Sequence, residues 1–441
     1  MKTIGFVLAL VGGICWGRIA ARGDIIVSGD ARSRGIKAGV PELDRAVSAY
    51  QSGDLAGAAA LFEKMRETQP GLARGKVLVA RFCLIDGRDQ EARPFLEAAA
   101  VDYPDDPEAY ILLAEAALRS GRIAEAVLCL ERAQENLAAS QAPEAIKTSL
   151  RIDYLKGMAY IAEGRGDWSR AREALAEWVK LEPKSTEAHQ RLARAVLRLG
   201  EADAALAGLE SAPFEPASGW HPALVMSALA GELGDAEKTR GWYERAIRER
   251  PNEAQPHLRF ATWLLDEGKL DEAATHANEA LRIDPNALET RVVVGLVALD
   301  SGDYSKAEHL FERLHVENPG KFSPNSFWAR ALAFQKDPIK RENALNIALA
   351  EARIDPRSSA AFNTLAFVHQ MRGEDEQAAR ILDELFQQNR ATAESAYLRG
   401  QICEAAKETE RAIKLYRIAI ETPGDFRLRH DARARLKALQ K

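Results

Sequence analysis

Glycine recurs along this chain at a fixed interval, and that interval limits what the chain can fold into. Successive glycines in the series lie 34 residues apart, except for one interval of 45 residues. The series is Gly53, Gly87, Gly121, Gly166, Gly200, Gly234, Gly268 and Gly302. Glycine makes up only 30 of the 441 residues, so composition alone does not produce the series. A period of about 20 to 50 residues indicates an array of repeated units rather than two or three globular domains.

Other residue types recur in phase with the glycines. A small residue follows five positions later, as at Ala92 and Ala126, and a large apolar residue usually follows nine positions later, as at Phe62 and Leu96. Apolar residues at spacings of three and four fill both halves of each unit, which is the period of a helix. Glycine ends the first helix at no steric cost, and a proline that often follows ends the second. Each unit is therefore predicted to be a hairpin of two helices.

This pattern resembles the tetratricopeptide repeat family. In the clearest unit, 254–287, the matching residues are Ala261, Gly268, Ala273, Ala280 and Pro285. The resemblance covers residues 43–424 and implies an all-α fold: a right-handed α-solenoid of about eleven helix-turn-helix units. Eleven extra residues within 136–152 either lengthen helices or add a loop. Residues 425–441 are predicted to form a C-terminal capping helix that closes the last hairpin.

The N-terminal residues differ from the repeats. Lys2 precedes an apolar run over residues 4–17, and the small residue Ala20 lies just beyond that run. A basic start and a short apolar run suit a secretory signal, whereas a membrane span needs about 20 apolar residues. We therefore expect residues 1–21 to be a signal peptide or an N-terminal membrane anchor, and residues 22–42 to be a flexible tether. The protein is expected to be exported or membrane-anchored, with the side of the membrane left open.

The family resemblance implies that partners bind the concave surface formed by the first helices. The second, fifth, ninth, twelfth and thirteenth positions of each unit are expected to face this surface. The fifth positions are mostly apolar, and Leu224, Leu258 and Val292 occupy them in three consecutive units. Two interpretations stay open: these residues hold a segment of a partner protein, or they pack on neighbouring helices.

A stripe of basic residues lies in the unit that begins at residue 186. Arg194 and Arg198 occupy inward positions on the first helix, and Arg191 lies one turn before them. The stripe could bind an acidic partner through charge-assisted hydrogen bonds. The alternative is a solvated helix face with ion pairs to Glu187 or Glu201.

No motif for catalysis or for binding a cofactor or a metal is found in the sequence. The eight histidines are spread over different repeats, and there is no HExxH, GxSxG or glycine-rich phosphate loop. The four cysteines form no CxxC pair. A net charge of −5 without long basic blocks argues against a nucleic-acid-binding protein. We therefore expect no enzyme activity, no cofactor, no metal ion and no nucleic-acid partner.

The sequence thus favours a noncatalytic scaffold or adaptor for protein–protein interactions at the cell envelope. One alternative is a membrane-anchored regulator of an envelope biosynthetic enzyme, because an anchor followed by a tether and repeats resembles the lipopolysaccharide-assembly regulators. Those proteins carry a cysteine metal module, which this chain lacks. The other alternative is an accessory subunit of a machine that exports polysaccharide or protein.

Overall fold

The structure is a computed structural model of the 441-residue chain. It describes residues 41–69, 71–214, 219–317, 325–422 and 426–440. These residues fall into two compact units, the first ending at Pro222 and the second beginning at Ala223. Across the described ranges every helix or strand assigned is an α-helix, which confirms the predicted fold class. The signal peptide or anchor predicted for residues 1–21, and the tether except for its last two residues, lie outside the described residues.

The first unit is an array of five helical hairpins. Its helices are α1 (Pro41–Gln51), α2 (Leu55–Thr68), α3 (Gly75–Ile85), α4 (Asp89–Asp102), α5 (Pro107–Arg119), α6 (Ile123–Ala139), α7 (Glu144–Gly164), α8 (Trp168–Leu181), α9 (Thr186–Arg198) and α10 (Ala202–Glu210). The array begins at Pro41, two residues before the predicted start at residue 43.

The second unit contains six hairpins and one last helix. Its helices are α11 (Pro222–Glu232), α12 (Ala236–Glu249), α13 (Ala254–Asp266), α14 (Leu270–Ile283), α15 (Leu288–Asp300), α16 (Tyr304–Glu317), α17 (Asn325–Phe334), α18 (Pro338–Ile354), α19 (Ser359–Met371), α20 (Asp375–Gln387), α21 (Ala393–Ala405), α22 (Thr409–Glu421) and α23 (Arg429–Leu439). The last of these is the predicted C-terminal capping helix, which packs on α22.

Glycine forms the turn inside most hairpins, as the spacing predicts. Gly268 and Gly302 adopt φ values of +70° and +80°, a left-handed conformation that favours a residue without a Cβ. Asp303 then caps the next helix, because its carboxylate accepts the Lys306 backbone N–H at 3.2 Å. In the last hairpin Lys407 stands 34 residues after Gly373 and adopts φ of +62° without being glycine.

The irregular interval is accommodated by longer helices. Helix α6 has 17 residues and α7 has 21, whereas their counterparts α4 and α5 have 14 and 13. The excess is three residues in α6 and eight in α7, which accounts for all eleven extra residues. Of the two possibilities left open by the sequence, the structure has longer helices and no added loop.

The hairpins pack through small residues on one helix and large residues on the other. Phe62, Leu96 and Phe311, each on the second helix of a hairpin, are fully buried, and burying such a side chain contributes about 1.5–3 kcal/mol. The first helices of neighbouring hairpins contact each other in both units, as α3 and α5 do, more closely than the second helices contact each other. The first helices therefore form an inner layer in each unit.

Candidate functional site

The inner layer of the second unit borders a cavity of about 610 Å³ that is open to solvent. It is lined by residues of helices α14, α15, α17, α19 and α21 and by residues of the C-terminal segment, residues 426–440. The volume lies within the range of roughly 300–1,000 Å³ that is usual for ligand sites. The cavity is the candidate functional site of the second unit.

Large apolar side chains form much of the cavity wall. Phe334 on α17 packs edge-on against Phe367 on α19, with their ring centroids 5.1 Å apart. Met371, one turn after Phe367, adds a flexible thioether side chain that fits ligands of different shapes. Leu299 and Leu398 contribute further apolar surface. This wall is suited to apolar side chains of a ligand.

The charged side chains in the wall neutralise one another in pairs. Arg330 forms an ion pair with Glu394 at 2.6 Å, and Asp300 forms one with Arg427. Arg435 lies 3.0 Å from Glu404. Among the described residues, each carboxylate and guanidinium that lines the cavity thus has an oppositely charged partner, which favours a ligand without a strong charge.

Asp431 and Tyr397 form a hydrogen bond at the edge of the cavity. The Tyr397 hydroxyl donates to the Asp431 carboxylate at 2.6 Å. Burial, together with this carboxylate, raises the pKa of Tyr397 above its usual range. Burial alone would raise the pKa of Asp431, but hydrogen bonds from Tyr397 and Arg435 outweigh that effect and lower it. Asp431 is therefore a carboxylate at neutral pH, held in place by two donors.

One hydrogen-bond acceptor in the cavity is left over. Gln370 lines the cavity, and its buried Oε1 has no donor within the described residues. A buried acceptor without a donor costs about 1–3 kcal/mol. The neighbouring Gln401 is already engaged, because its Nε2 donates to the Tyr397 hydroxyl at 2.9 Å. Because this oxygen is covered, a ligand reaches it only after the Gln370 side chain turns toward the cavity.

The three apolar residues predicted for the groove lie on first helices but outside this cavity. Leu224 on α11 is partly exposed, whereas Leu258 is 7% exposed and Val292 is fully buried. All three pack in or against one core cluster of the second unit. This burial agrees with the packing interpretation for Leu258 and Val292, and their role in binding stays a prediction.

One cavity residue, Tyr397, occupies a fifth position, and several others occupy different inward positions of the repeat. Phe367, Gln370 and Met371 are the ninth, twelfth and thirteenth residues of the unit that begins at Ser359. The fifth residue of that unit, Asn363, is 1% exposed. Sequence reasoning chose the fifth positions and missed these, although the ninth, twelfth and thirteenth were among the positions expected to face inward.

The first member of the arginine stripe is structural. Arg191 is 2% exposed and lies 3.1 Å from Glu163 and 3.2 Å from Glu187. The ion pair with Glu187 is one of the two that the sequence suggested. The other suggested partner, Glu201, pairs instead with Arg172 at 3.1 Å.

The two predicted site residues of the stripe differ in exposure. Arg194 is 8% exposed, whereas Arg198 is exposed at the end of α9. The Arg198 guanidinium lies 5.3 Å from the ring centroid of Trp168, within the distance for a cation–π contact. Arg198 is therefore the member of the stripe that an acidic partner could reach.

Two histidines of the unit 254–287 meet inside its hairpin. His257 on α13 and His276 on α14 have their Nδ1 atoms 3.0 Å apart. Burial is the main cause that lowers the pKa of both, and for His276 the neighbouring His257 lowers it further. No group of three or more metal-ligating side chains occurs in the described part of the chain, so the pair has no third ligand there. Sequence reasoning missed this pair, because the spacing of residues does not show where two helices cross.

Family profiles match almost the whole repeat region. The Cilia and flagella-associated protein 70 middle TPR-like domain matches residues 224–389. One tetratricopeptide repeat profile matches residues 84–150 and 162–218, and another matches residues 43–107 and 372–426. The chain belongs to the tetratricopeptide repeat family. Its fold is one that serves protein–protein interaction.

A curated relative matches part of this tetratricopeptide repeat protein. Cellulose synthase operon protein C of Pseudomonas fluorescens (strain SBW25) is 28% identical over 213 residues. The aligned region covers 47% of this chain and 16% of the relative, so the match spans about a sixth of that protein's length.

Solved structures of repeat proteins are similar to the chain at low identity. A tetratricopeptide repeat protein from Parabacteroides merdae ATCC 43184 is 19% identical, with a TM-score of 0.36, and the match covers 65% of this chain and 98% of that one. Yeast Tom70 is 12% identical, with a TM-score of 0.36, and the match covers 90% and 95% of the two chains.

Among the described residues, no helix combines the length and apolar character needed to cross a membrane.

Proposed function

We propose that the protein is a noncatalytic scaffold or adaptor that binds a neutral, apolar segment of a partner protein in the cavity of its second unit. The observation that carries this proposal is the apolar wall formed by Phe334, Phe367 and Met371 in the inner layer. Paired charges around the wall disfavour a charged ligand, and Gln370 adds a neutral polar side chain to the wall. A peptide segment with one or two large apolar side chains meets all of these conditions.

Site-specific crosslinking in cells tests this proposal. A photo-reactive phenylalanine analogue replaces Met371 in the full chain, and the matched control carries the analogue at Gln377. Gln377 is exposed on α20 of the same hairpin and lies outside the cavity. The proposal expects a discrete protein adduct from position 371 and none from position 377. Adducts of equal yield at both positions, or none at position 371, would contradict it.

We also propose that the scaffold acts at the cell envelope, exported or membrane-anchored through residues 1–21. The basic start and apolar run of this segment support export or anchorage. Deleting residues 1–21 should move the protein from the membrane or exported fraction to the soluble cytoplasmic fraction. N-terminal sequencing of the mature protein distinguishes a cleaved signal, with a start near Arg22, from a retained anchor, with Met1 intact.

A second candidate function is an accessory subunit of a polysaccharide export machine. The name of the relative, Cellulose synthase operon protein C, refers to a polysaccharide but not to its export, so it does not favour this version over the next one. The other version, a regulator of an envelope biosynthetic enzyme, stays open. Identifying the adduct from position 371 distinguishes them, because the first expects a component of an export machine and the second expects a biosynthetic enzyme.

Further partner contacts are proposed at the remaining predicted site residues. Leu224 is accessible enough to contact a partner in the second unit. In the first unit Arg198, with Arg194 behind it, could bind an acidic segment. Binding through these arginines should weaken as salt is added, because salt screens exposed charges.

A further inference from the structure

The C-terminal segment, residues 426–440, contacts a hairpin far earlier in the chain. His430 Nδ1 lies 3.1 Å from the backbone carbonyl oxygen of Asp266, 164 residues away, at the end of α13. The contact is close, since a Cβ added to Gly268 would lie 2.7 Å from the His430 ring. A capping helix needs only to cover the last hairpin. The contact with α13 and its turn therefore goes beyond the role of a cap.

A second long-range contact fixes the start of the same segment. Arg427 forms an ion pair with Asp300 at the end of α15, and their side chains are only 20% and 15% exposed. The end of a helix carries a partial negative charge, which favours a cation there. Breaking this pair leaves an acidic side chain with little water around it, so the contact gives the segment one preferred position.

The other end of the segment is held on α21. The Tyr397 hydroxyl donates to Asp431 at 2.6 Å, and Arg435 lies 3.0 Å from Glu404. The segment thus reaches from the ends of α13 and α15 to α21. Leu428 and His430, near its start, line the cavity together with Phe334 and Met371. Five residues of the segment therefore belong to the cavity wall.

We infer that residues 426–440 are an intramolecular latch that covers part of the cavity wall and competes with a partner segment for that surface. The latch packs on α22, where Ala432 is fully buried, and Phe426 at its start is buried against Tyr397 of α21, with ring centroids 5.4 Å apart. Its contacts with α13 and α15 depend on Arg427 and His430, so this part can open locally without unfolding the hairpins. A tethered segment acts at an effective concentration in the millimolar range, roughly, so it opposes weak ligands and yields to strong ones.

The identity of the competing segment rests on the proposed function. The binding of the latch to its surface can be tested without any partner. The probe is a fluorescent peptide with the sequence of residues 426–440. It is titrated into the full chain carrying Arg427→Gln and His430→Ala, and into the unchanged full chain. In the variant the chain's own latch has lost two contacts, so it competes less well with the added peptide. The affinity of the variant for the peptide should therefore be at least about tenfold higher than that of the unchanged chain. Hydrogen exchange should rise in residues 426–440 and at the end of α15.

Two variants serve as controls in the same assays. Arg433→Gln removes an exposed charge of α23 outside the contacts described and should behave like the unchanged chain. Arg427→Asp alone should speed up hydrogen exchange in residues 426–440, because it places two acidic side chains together. The double variant Asp300→Arg, Arg427→Asp exchanges the charges of the ion pair and should restore slow exchange there. Circular dichroism and exchange of α1–α22 report whether each variant is folded.

Equal peptide affinity in the opened variant and the unchanged chain would overturn the latch. So would unchanged hydrogen exchange at residues 426–440 in the folded Arg427→Gln, His430→Ala variant. These outcomes do not depend on the crosslink at position 371. A missing crosslink with a working latch would contradict the proposed function alone.

Discussion

Gly295, on the first helix of its hairpin, lies directly against the ring of Phe311 on the second helix. A Cβ at Gly295 would lie 2.7 Å from the Phe311 ring, and Phe311 is fully buried. Gly295→Ala should therefore lower the free energy of unfolding by about 1–3 kcal/mol through overpacking. Denaturant titration measures this. The matched control is Gly241→Ala on α12, where no atom lies within 4 Å of the added Cβ; alanine should raise stability there by up to about 1 kcal/mol. Equal effects at both positions would contradict the packing described.

Lys407 adopts a left-handed conformation that glycine adopts in most other hairpins. Its φ is +62°, which costs a residue with a Cβ about 1–2 kcal/mol, and its side chain is exposed. Lys407→Gly should therefore raise the free energy of unfolding by about 1 kcal/mol. Gly373→Ala, at φ of +78° one unit earlier, should lower it by a similar amount. A loss of stability in Lys407→Gly, measured by thermal or denaturant unfolding, would show that the side chain matters more than the backbone.

The hairpins themselves were predictable from the sequence. Each turn glycine, the alanine after it and the proline at the end of the unit encode local geometry, so their spacing predicts the helix pairs. The sequence could not distinguish longer helices α6 and α7 from an added loop, because both lengthen the interval between glycines by the same eleven residues.

The cavity was not predictable because it depends on how neighbouring hairpins pack. That packing buries the fifth-position residues Leu258 and Val292 and leaves the ninth, twelfth and thirteenth positions around Phe367 and Met371 to line the inner surface. The contact between His430 and Asp266 joins residues 164 positions apart. No periodic pattern in the sequence specifies a contact at that distance.

The pair His257 and His276 should make the stability of the second unit depend on pH. The pKa of both is lowered from 6.5 in the folded chain, so the unfolded chain binds more protons below that pH. The free energy of unfolding therefore falls as the pH drops from about 7.5 to about 5.5. His276→Gln should make this fall shallower, and the exposed His309→Gln should not. Urea midpoints at both pH values measure it; an identical fall in all three proteins would contradict the role of the pair.

The three fifth-position residues should respond differently to a buried charge. Val292→Asp and Leu258→Asp place a carboxylate in a core where those residues are 0% and 7% exposed, and an unpaired buried charge costs several kcal/mol. Both variants should lose several degrees in melting temperature. Leu224→Asp should lose less, because Leu224 is partly exposed. If Leu224→Asp melts as early as Val292→Asp, Leu224 is a core residue and not a contact for a partner.

The most direct test of cavity binding is the affinity of the full chain for the partner identified by the crosslink at position 371. Met371→Asp puts a charge into the apolar wall, and Gln377→Asp puts the same charge on the exposed face of α20. The account predicts that Met371→Asp weakens the affinity at least about tenfold, because the charge loses water without gaining a partner. Gln377→Asp should bind like the unchanged chain, at the same melting temperature. Equal affinities for the two folded variants would contradict the claim that the cavity holds the partner.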